Sequence, residues 1–284
     1  MNAELRSLVE ARLGVEVRSA EQIDQGWDSL VFEVNAEWIV RVPRRAEVRT
    51  WLRKEAALLP LLAPELRVPV PDVAVVEDSP ETFFAAHRKL DGKPLGSALR
   101  WGNEASLAAQ TGEFLATLHD FPAVKAGLPQ ITKGEWLDEQ AAFAGRCDAV
   151  LRLLDAAERR RARAMFDSHL SLPPFELALL HADLGPEHIL CRSDVVTGVI
   201  DWSDARIGDP ALDFGWLLHG PGAPFVSALL DAYVTSGGRL DPTLRERALY
   251  FHRVGPWHEV LYGLEQDRPE LVASGLAGVR ARLP

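Results

Sequence analysis

One change of hydrophobic period, close to Pro94, does most to limit what this 284-residue chain can fold into. Before it, apolar residues cluster or alternate in short runs, as strands require. After it they recur every three to four residues, as one face of a helix does. Residues 15–23, 30–34 and 37–42 read as strands, with the turn Asp24-Gln25-Gly26-Trp27-Asp28 between the first two and Pro43 stopping the third. Residues 46–62 carry Val48, Leu52, Ala56, Leu59 and Leu62 on one helical face. Val68-Pro69-Val70-Pro71-Asp72 breaks that helix. Residues 73–77 and 83–90 read as two further strands, ending at Asp91-Gly92-Lys93-Pro94. Strands, one helix and more strands make an α+β module with a mostly antiparallel sheet.

Beyond Pro94 the expected helices are 103–120, 133–154, 156–169, 224–236, 243–254 and 257–265. One apolar strand at 177–180 interrupts them, followed by a loop and two short strands at 189–191 and 198–200. The expectation is a small sheet-rich lobe joined near residues 89–96 to a larger helical one, with the site in the crevice between them. A hydrophobic content of 47% suits a packed core. A net charge of −10 argues against a general nucleic-acid binder, which needs surplus Lys and Arg. No stretch approaches the roughly 20 apolar residues that cross a bilayer, and the N-terminal MNAELRSLVEARLG is a charged amphipathic helix. A cytoplasmic monomer without membrane or nucleic-acid partners is expected, with Cys147 and Cys191 as buried reduced thiols.

Reactive residues are densest between His181 and Asp213, in HADLGPEHIL and VIDWSDARIGDPALDF. Asp183 follows an apolar strand and is turned into a loop by Gly185-Pro186; His188 comes five residues later, and Asp201 ends the next apolar strand. Carboxylates converging from strand ends suit Mg²⁺, which takes oxygen ligands, keeps several waters and bridges protein to phosphates. A carboxylate beside such a metal can orient or deprotonate an attacking hydroxyl.

The spacing His181-x-Asp183-x-x-x-x-His188, with Ile200-Asp201-Trp202 and then Gly208-Asp209-Pro210-Ala211-Leu212-Asp213-Phe214, resembles the aminoglycoside phosphotransferase family, whose fold is that of the protein kinases. Upstream, Trp38-Ile-Val-Arg41-Val-Pro43-Arg44-Arg45 and Val68-Pro-Val-Pro71 are similar to the small lobe of macrolide and 2″-type aminoglycoside enzymes. The resemblance covers roughly residues 15–270. It implies a nucleotide-binding lobe at 1–92 and a helical lobe with catalytic loop and acceptor site at 93–284. It also implies a small-molecule acceptor, Mg²⁺, and ATP or GTP as phosphate donor, GTP being the habit of the relatives it most resembles. Asp183 matches the catalytic aspartate and Asp201 the metal-binding one. His188 stands where most kinases have a metal-binding asparagine, so it would ligate directly or through a water. Arg41 falls where a phosphate-binding lysine is usual, with Glu55 as its acidic partner. Ser29 matches the phosphate loop, which here has one glycine. Backbone groups of Arg88, Lys89, Leu90 and Asp91 match the linker that holds the base. His181 and Asp213 match bracing positions, and Asp209 a helix cap followed by Pro210.

Three other readings stay open on the residues alone. One is a metabolic small-molecule kinase of the same fold. Another is a transition-metal hydrolase using His181, Asp183, His188 and Asp201. The third is a nucleotide-binding regulator without activity. Asp231, Glu259, Glu265 and Asp267 are candidates to meet a cationic acceptor.

Overall fold

The computed structural model describes residues 1–24, 28–79, 82–99, 102–173 and 175–284; the centre of the expected turn, residues 25–27, lies outside them. The chain opens with α1 (Ala3–Leu13), capped by Asn2, whose side chain accepts from Leu5 N–H. A five-stranded antiparallel sheet follows, built from β1 (Ala20–Asp24), β2 (Ser29–Val34), β3 (Trp38–Pro43), β4 (Ala74–Asp78) and β5 (Phe83–Arg88) in the order β1-β2-β3-β5-β4. The helix α2 (Ala46–Leu62) crosses between β3 and β4. Alternation along the strands gives the sheet two apolar faces. Phe32, Val34, Val40, Phe84 and Ala86 pack with Val9 of α1, whereas Phe83 and Ala85 join Val48, Leu52, Leu58, Leu59 and Leu62 of α2. The strand expected at 15–23 begins only at Ala20. Ahead of it, Asn35 fixes the chain by accepting from Arg18 and Ser19 N–H and donating to Glu16 O.

After β5 the linker enters β6 (Lys93–Pro94), α3 (Leu95–Ala98) and the long α4 (Glu104–Asp120). The helical lobe continues with α5 (Lys133–Arg146), α6 (Asp148–Leu151) and α7 (Ala156–Leu170). The short strands β7 (Ala178–Leu180), β8 (Ile189–Arg192), β9 (Val195–Val199) and β10 (Arg206–Gly208) come next. A turn of 3₁₀ helix (Pro210–Leu212) leads to α8 (Ala223–Thr235), α9 (Leu244–Glu265) and α10 (Pro269–Arg282). The β8–β9 hairpin pairs with β6, Lys93 facing Cys191 and Pro94 facing Leu190, so the linker is stitched to the hairpin that follows the reactive loop. Gly92 makes that approach possible. It has φ +134°, and a Cβ there would lie 2.4 Å from Thr197 Oγ1. Gly112 does the same for α4 against α8, since a Cβ would lie 2.3 Å from Leu229 O. Both cysteines are buried and free.

Three expectations need correction. The helix expected over 133–154 is two, divided at Cys147. The helices expected at 243–254 and 257–265 are one, because α9 runs through Pro256. Proline there removes the N–H that would reach the carbonyl four residues back, His252 O. Arg282 Nη1 of α10 donates to that oxygen instead, at 2.8 Å. Finally, α10 and β10 have no counterpart among the expected elements.

Candidate active site

The reactive loop between β7 and β8 is held from below by one carboxylate. Asp213, fully buried, accepts from His181 N–H at 3.0 Å and from Ala182 N–H at 2.8 Å. Ala182 and Asp201 both have left-handed backbones, φ +69° and +63°, a costly conformation for non-glycine residues that needs such bracing. His181 is buried with both ring nitrogens engaged. Nδ1 accepts from Asp183 N–H at 3.3 Å, and Nε2 donates to Ile200 O at 3.0 Å. Burial pushes its pKa down to about 4, so the ring is neutral. It therefore braces two loops. Joining a metal-ligand set with Asp183, His188 and Asp201 would cost it at least one of these bracing bonds, which weighs against the hydrolase reading. Asp209 caps the 3₁₀ turn through Ala211 N–H and is locked by Arg247 at 2.6 Å.

Above this brace, four side chains from four segments meet. Arg41 projects from β3, at the register of Val31 on β2 and Ala85 on β5. Its Nη1 donates to Glu55 Oε2 of α2 at 2.7 Å and its Nη2 to Asp201 Oδ1 at 3.0 Å. Burial alone would lower the Arg41 pKa, but Glu55 and Asp201 raise it, so the guanidinium stays charged. Trp202 N–H adds a contact to the other oxygen of Glu55, at 3.4 Å. Burial would raise the Asp201 carboxyl, but Arg41, His188 and the Ser203 hydroxyl together bring it down to about 2. Ser203 Oγ donates to Asp201 Oδ1 at 3.0 Å, which leaves Oδ2 facing His188 Nε2 at 3.9 Å. His188 Nδ1 donates to Asp183 O at 2.7 Å, so a neutral His188 presents its Nε2 lone pair toward that oxygen. A lone pair and a carboxylate oxygen at this separation call for a cation or a proton between them. Adjacent ligands of an octahedral Mg²⁺, with bonds of about 2.1 Å, lie about 3.0 Å apart, so the two groups would have to draw together to share one. Burial lowers the His188 pKa, yet Asp183 and Asp201 outweigh it and raise it.

Asp183 opens to the cleft 3.6 Å from His188 Nδ1; desolvation raises its carboxyl, and His188 opposes that. Ser29 lies on β2, buried, and its hydroxyl has no hydrogen-bond partner among the described residues. The linker side chains face elsewhere. Arg88 pairs with Glu37 at 2.7 Å and lies over the Trp38 ring, Lys89 pairs with Glu33 at 2.6 Å, and Asp91 pairs with Arg192 at 2.9 Å. Any part these three take at the site is through their backbone, and the Asp91 carbonyl already accepts from Thr197. Glu265, one of the carboxylates considered for a cationic acceptor, is paired with Arg146 at 3.0 Å.

Asp204, exposed three residues after Asp201, is a further carboxylate near the site that was not anticipated. Desolvation first, then the like charges of Asp183 and Asp201, push its carboxyl up to about 6, with Lys54 opposing. Its signal was local: it follows Asp201 by three residues in the same acidic run. His119 was also missed. It joins the brace through Nε2, 3.2 Å from Asp213 Oδ2, and its Nδ1 lies 3.0 Å from the Tyr233 hydroxyl. Only the folded packing of α4 against α8 brings these together.

A five-stranded sheet over a helical lobe, with charged groups of both facing one cleft, defines a kinase-like phosphotransferase fold. Residues 19–250 match the family model described as the phosphotransferase enzyme family, APH, and the chain belongs to that family. Viomycin phosphotransferase of Streptomyces vinaceus is 30% identical over 170 residues, a match covering 58% of this chain and 57% of the length of that enzyme. Among solved structures, the GDP and kanamycin complex of APH(2")-IIia superposes with a TM-score of 0.87 at 25% identity, covering 99% of this chain and 98% of that one. A macrolide 2'-phosphotransferase type I superposes at 0.80 with 27% identity, covering 98% and 96%.

Proposed function

We propose that this chain is a small-molecule kinase moving the γ-phosphate of ATP or GTP onto a hydroxyl of an antibiotic-like acceptor, of the macrolide or aminoglycoside kind. The observation that carries this is the meeting of Arg41, Asp201, His188 and Asp183 in one cleft, with Arg41 bridging Glu55 and Asp201. The acceptor class draws its support from the kinship with viomycin phosphotransferase, and from the kanamycin bound in a structural neighbour.

In this reading residues 1–92 bind the nucleotide and 93–284 carry the catalytic loop and the acceptor site. The purine lies against the linker backbone of residues 88–91. Arg41, oriented by Glu55, contacts the inner phosphates, and the partnerless Ser29 hydroxyl donates to them. Asp201 and His188 would hold Mg²⁺, which would supply positive charge to neutralise the outer phosphates. Asp183 aligns the acceptor hydroxyl and takes its proton as the oxygen attacks the γ-phosphorus. The new O–P bond forms as the bond from that phosphorus to the bridging oxygen breaks, and its electron pair leaves with the nucleoside diphosphate. Such a reaction asks mainly for positioning and charge stabilisation. Asp204, exposed and electrostatically coupled to Asp183 and Asp201, suits an amino group on the acceptor. The enzyme works as a cytoplasmic monomer without nucleic-acid or membrane partners.

The test is nucleotide consumption with Mg²⁺, using ATP and GTP separately against macrolides, aminoglycosides and small metabolite alcohols. Acceptor-dependent turnover that disappears in Asp183→Ala supports the reading. Absence of nucleotide binding sinks it.

A further inference from the structure

Lys54 immediately precedes Glu55 on α2, and the proposed mechanism gives it no part. The side chain is half-buried, and its Nζ donates to Ala205 O at 2.8 Å, a contact from the small lobe to the segment that leads out of Asp201. Ala205 is buried, and its N–H closes a tight turn by donating to Trp202 O at 3.0 Å. Trp202 N–H, at the start of that turn, donates to Glu55 Oε1 at 3.4 Å. Two consecutive residues of one helix thus hold the two ends of the turn, one donating and the other accepting. Asp201 stands just before it with φ +63°, a backbone that a non-glycine residue keeps only when its surroundings enforce it. Ile200 N–H, upstream, is given to His188 O at 2.9 Å, and Arg206, downstream, pairs with Leu180 of β7. Those anchors lie outside the turn, whereas Lys54 and Glu55 grip the turn itself. Burial lowers the Lys54 pKa, and the nearby Asp204 and Glu55 oppose that, with Arg206 acting the other way.

We infer that Lys54 is a positioning residue: by holding Ala205 O it keeps the turn after Asp201 in the shape that binds a divalent cation, and so ties metal affinity to the seating of α2. This rests on Asp201 being a metal ligand, as proposed above. Lys54 acts through the backbone of the turn and not as a ligand. Without its bond the turn loses one of its two holds on α2, and the left-handed backbone at Asp201 is free to relax and carry the carboxylate with it. Charge and position then predict opposite outcomes for a variant that lacks the ammonium. Removing a positive charge from beside these carboxylates strengthens their pull on a cation. Releasing a ligand carboxylate weakens it, since the groups that orient a metal ligand are worth about ten- to a hundredfold in affinity.

The experiment is titration of the full chain with Mn²⁺ alone, the paramagnetic counterpart of Mg²⁺ for oxygen ligands, followed by its electron paramagnetic resonance signal. Asp201→Ala identifies which binding belongs to this site, and a thermal melt accompanies each variant. Lys54→Met should weaken the Asp201-dependent binding by about tenfold, with a melting temperature close to wild type. Lys54→Arg, which keeps a donor on a long side chain, should stay within about threefold of wild type. Lys54→Gln, whose amide falls short of Ala205 O, gives the same comparison as Lys54→Met where the methionine variant does not fold. Binding in Lys54→Met that equals or exceeds wild type overturns the inference, because charge alone then describes the residue. So does a loss of affinity that only accompanies a lowered melting temperature, or a folded Lys54→Arg as weak as Lys54→Met. Those results remove only the role of Lys54; a wild type with no Asp201-dependent Mn²⁺ binding removes the metal site as well.

Discussion

The two halves of the cleft are held in different ways. On the helical side, Asp183 and Asp201 sit on loops braced by backbone hydrogen bonds to Asp213 and by the neutral His181. All of these lie within one stretch of sequence. On the sheet side, Arg41 is fixed by charge alone, through Glu55 on α2 and Asp201 in the other lobe. The first half is preorganised by several hydrogen bonds to backbone groups, two of them from one carboxylate. The second depends on one guanidinium finding two carboxylates. A site so divided should fail by different routes in its two halves.

The largest effect is expected at the chemistry itself. Asp183→Ala should lower kcat by about a thousandfold while leaving nucleotide affinity and melting temperature close to wild type. Steady-state kinetics beside a thermal melt would check this. On the sheet side, Arg41→Lys should lower kcat/KM for the nucleotide by about ten- to a hundredfold, because a single nitrogen replaces the two that reach Glu55 and Asp201. Its fold should persist, whereas Arg41→Met leaves Glu55 buried without its cation and should lower the melting temperature clearly. If both variants melted alike, charge would not be what fixes this half.

On the helical side, Asp213→Asn keeps one acceptor oxygen but turns an amide donor toward one of the two N–H groups of His181 and Ala182. Activity and stability should fall together there, with kcat down about tenfold and a loss of about 1–3 kcal/mol in unfolding free energy. A kcat loss without any change in stability would break the contrast between the halves. The smallest effect concerns pH. His188 holds its proton above the usual histidine range, and the protonated ring repels a cation. Apparent Mg²⁺ affinity should therefore rise a few-fold as pH climbs through that raised pKa, and the slope should flatten in His188→Asn. Mg²⁺ titrations at several pH values would show it.

Much of the helical half was legible in the sequence, because its parts are neighbours in the chain. Asp183, His188, Asp201, Asp209 and Asp213 all lie in two consecutive motifs, and the brace joining them is short-range. The Arg41–Glu55 pair was legible as β3 followed by a helix at the right spacing. Its link to Asp201, 160 residues away, depended on how the lobes meet. His119 and Lys54 escaped notice for the same reason, since each acquires meaning only from its neighbours in space. The helical boundaries failed where local signals conflict with packing. Gly255-Pro256 looks like a break, but Arg282 supplies the missing donor and the helix continues. The helix α10 has little apolar periodicity to read, since it docks on α9 through Gly275, where a Cβ would meet Val260 at 2.7 Å. Close approach of small residues leaves no hydrophobic stripe in the sequence.

The sharing of Arg41 between Glu55 and Asp201 also fixes the ionic character of the cleft. Carboxylates crowd round the single guanidinium, so this part of the chamber behaves like a small cation exchanger. On the proposed function, a bare triphosphate would meet repulsion at its walls, whereas the same polyanion arriving as its magnesium salt would bring its own counter-ions and could trade them with Asp201. Free nucleotide in excess of the metal should then be an ineffective competitor, and the cell's supply of divalent cation, as much as its supply of nucleotide, would govern how often the cleft is charged.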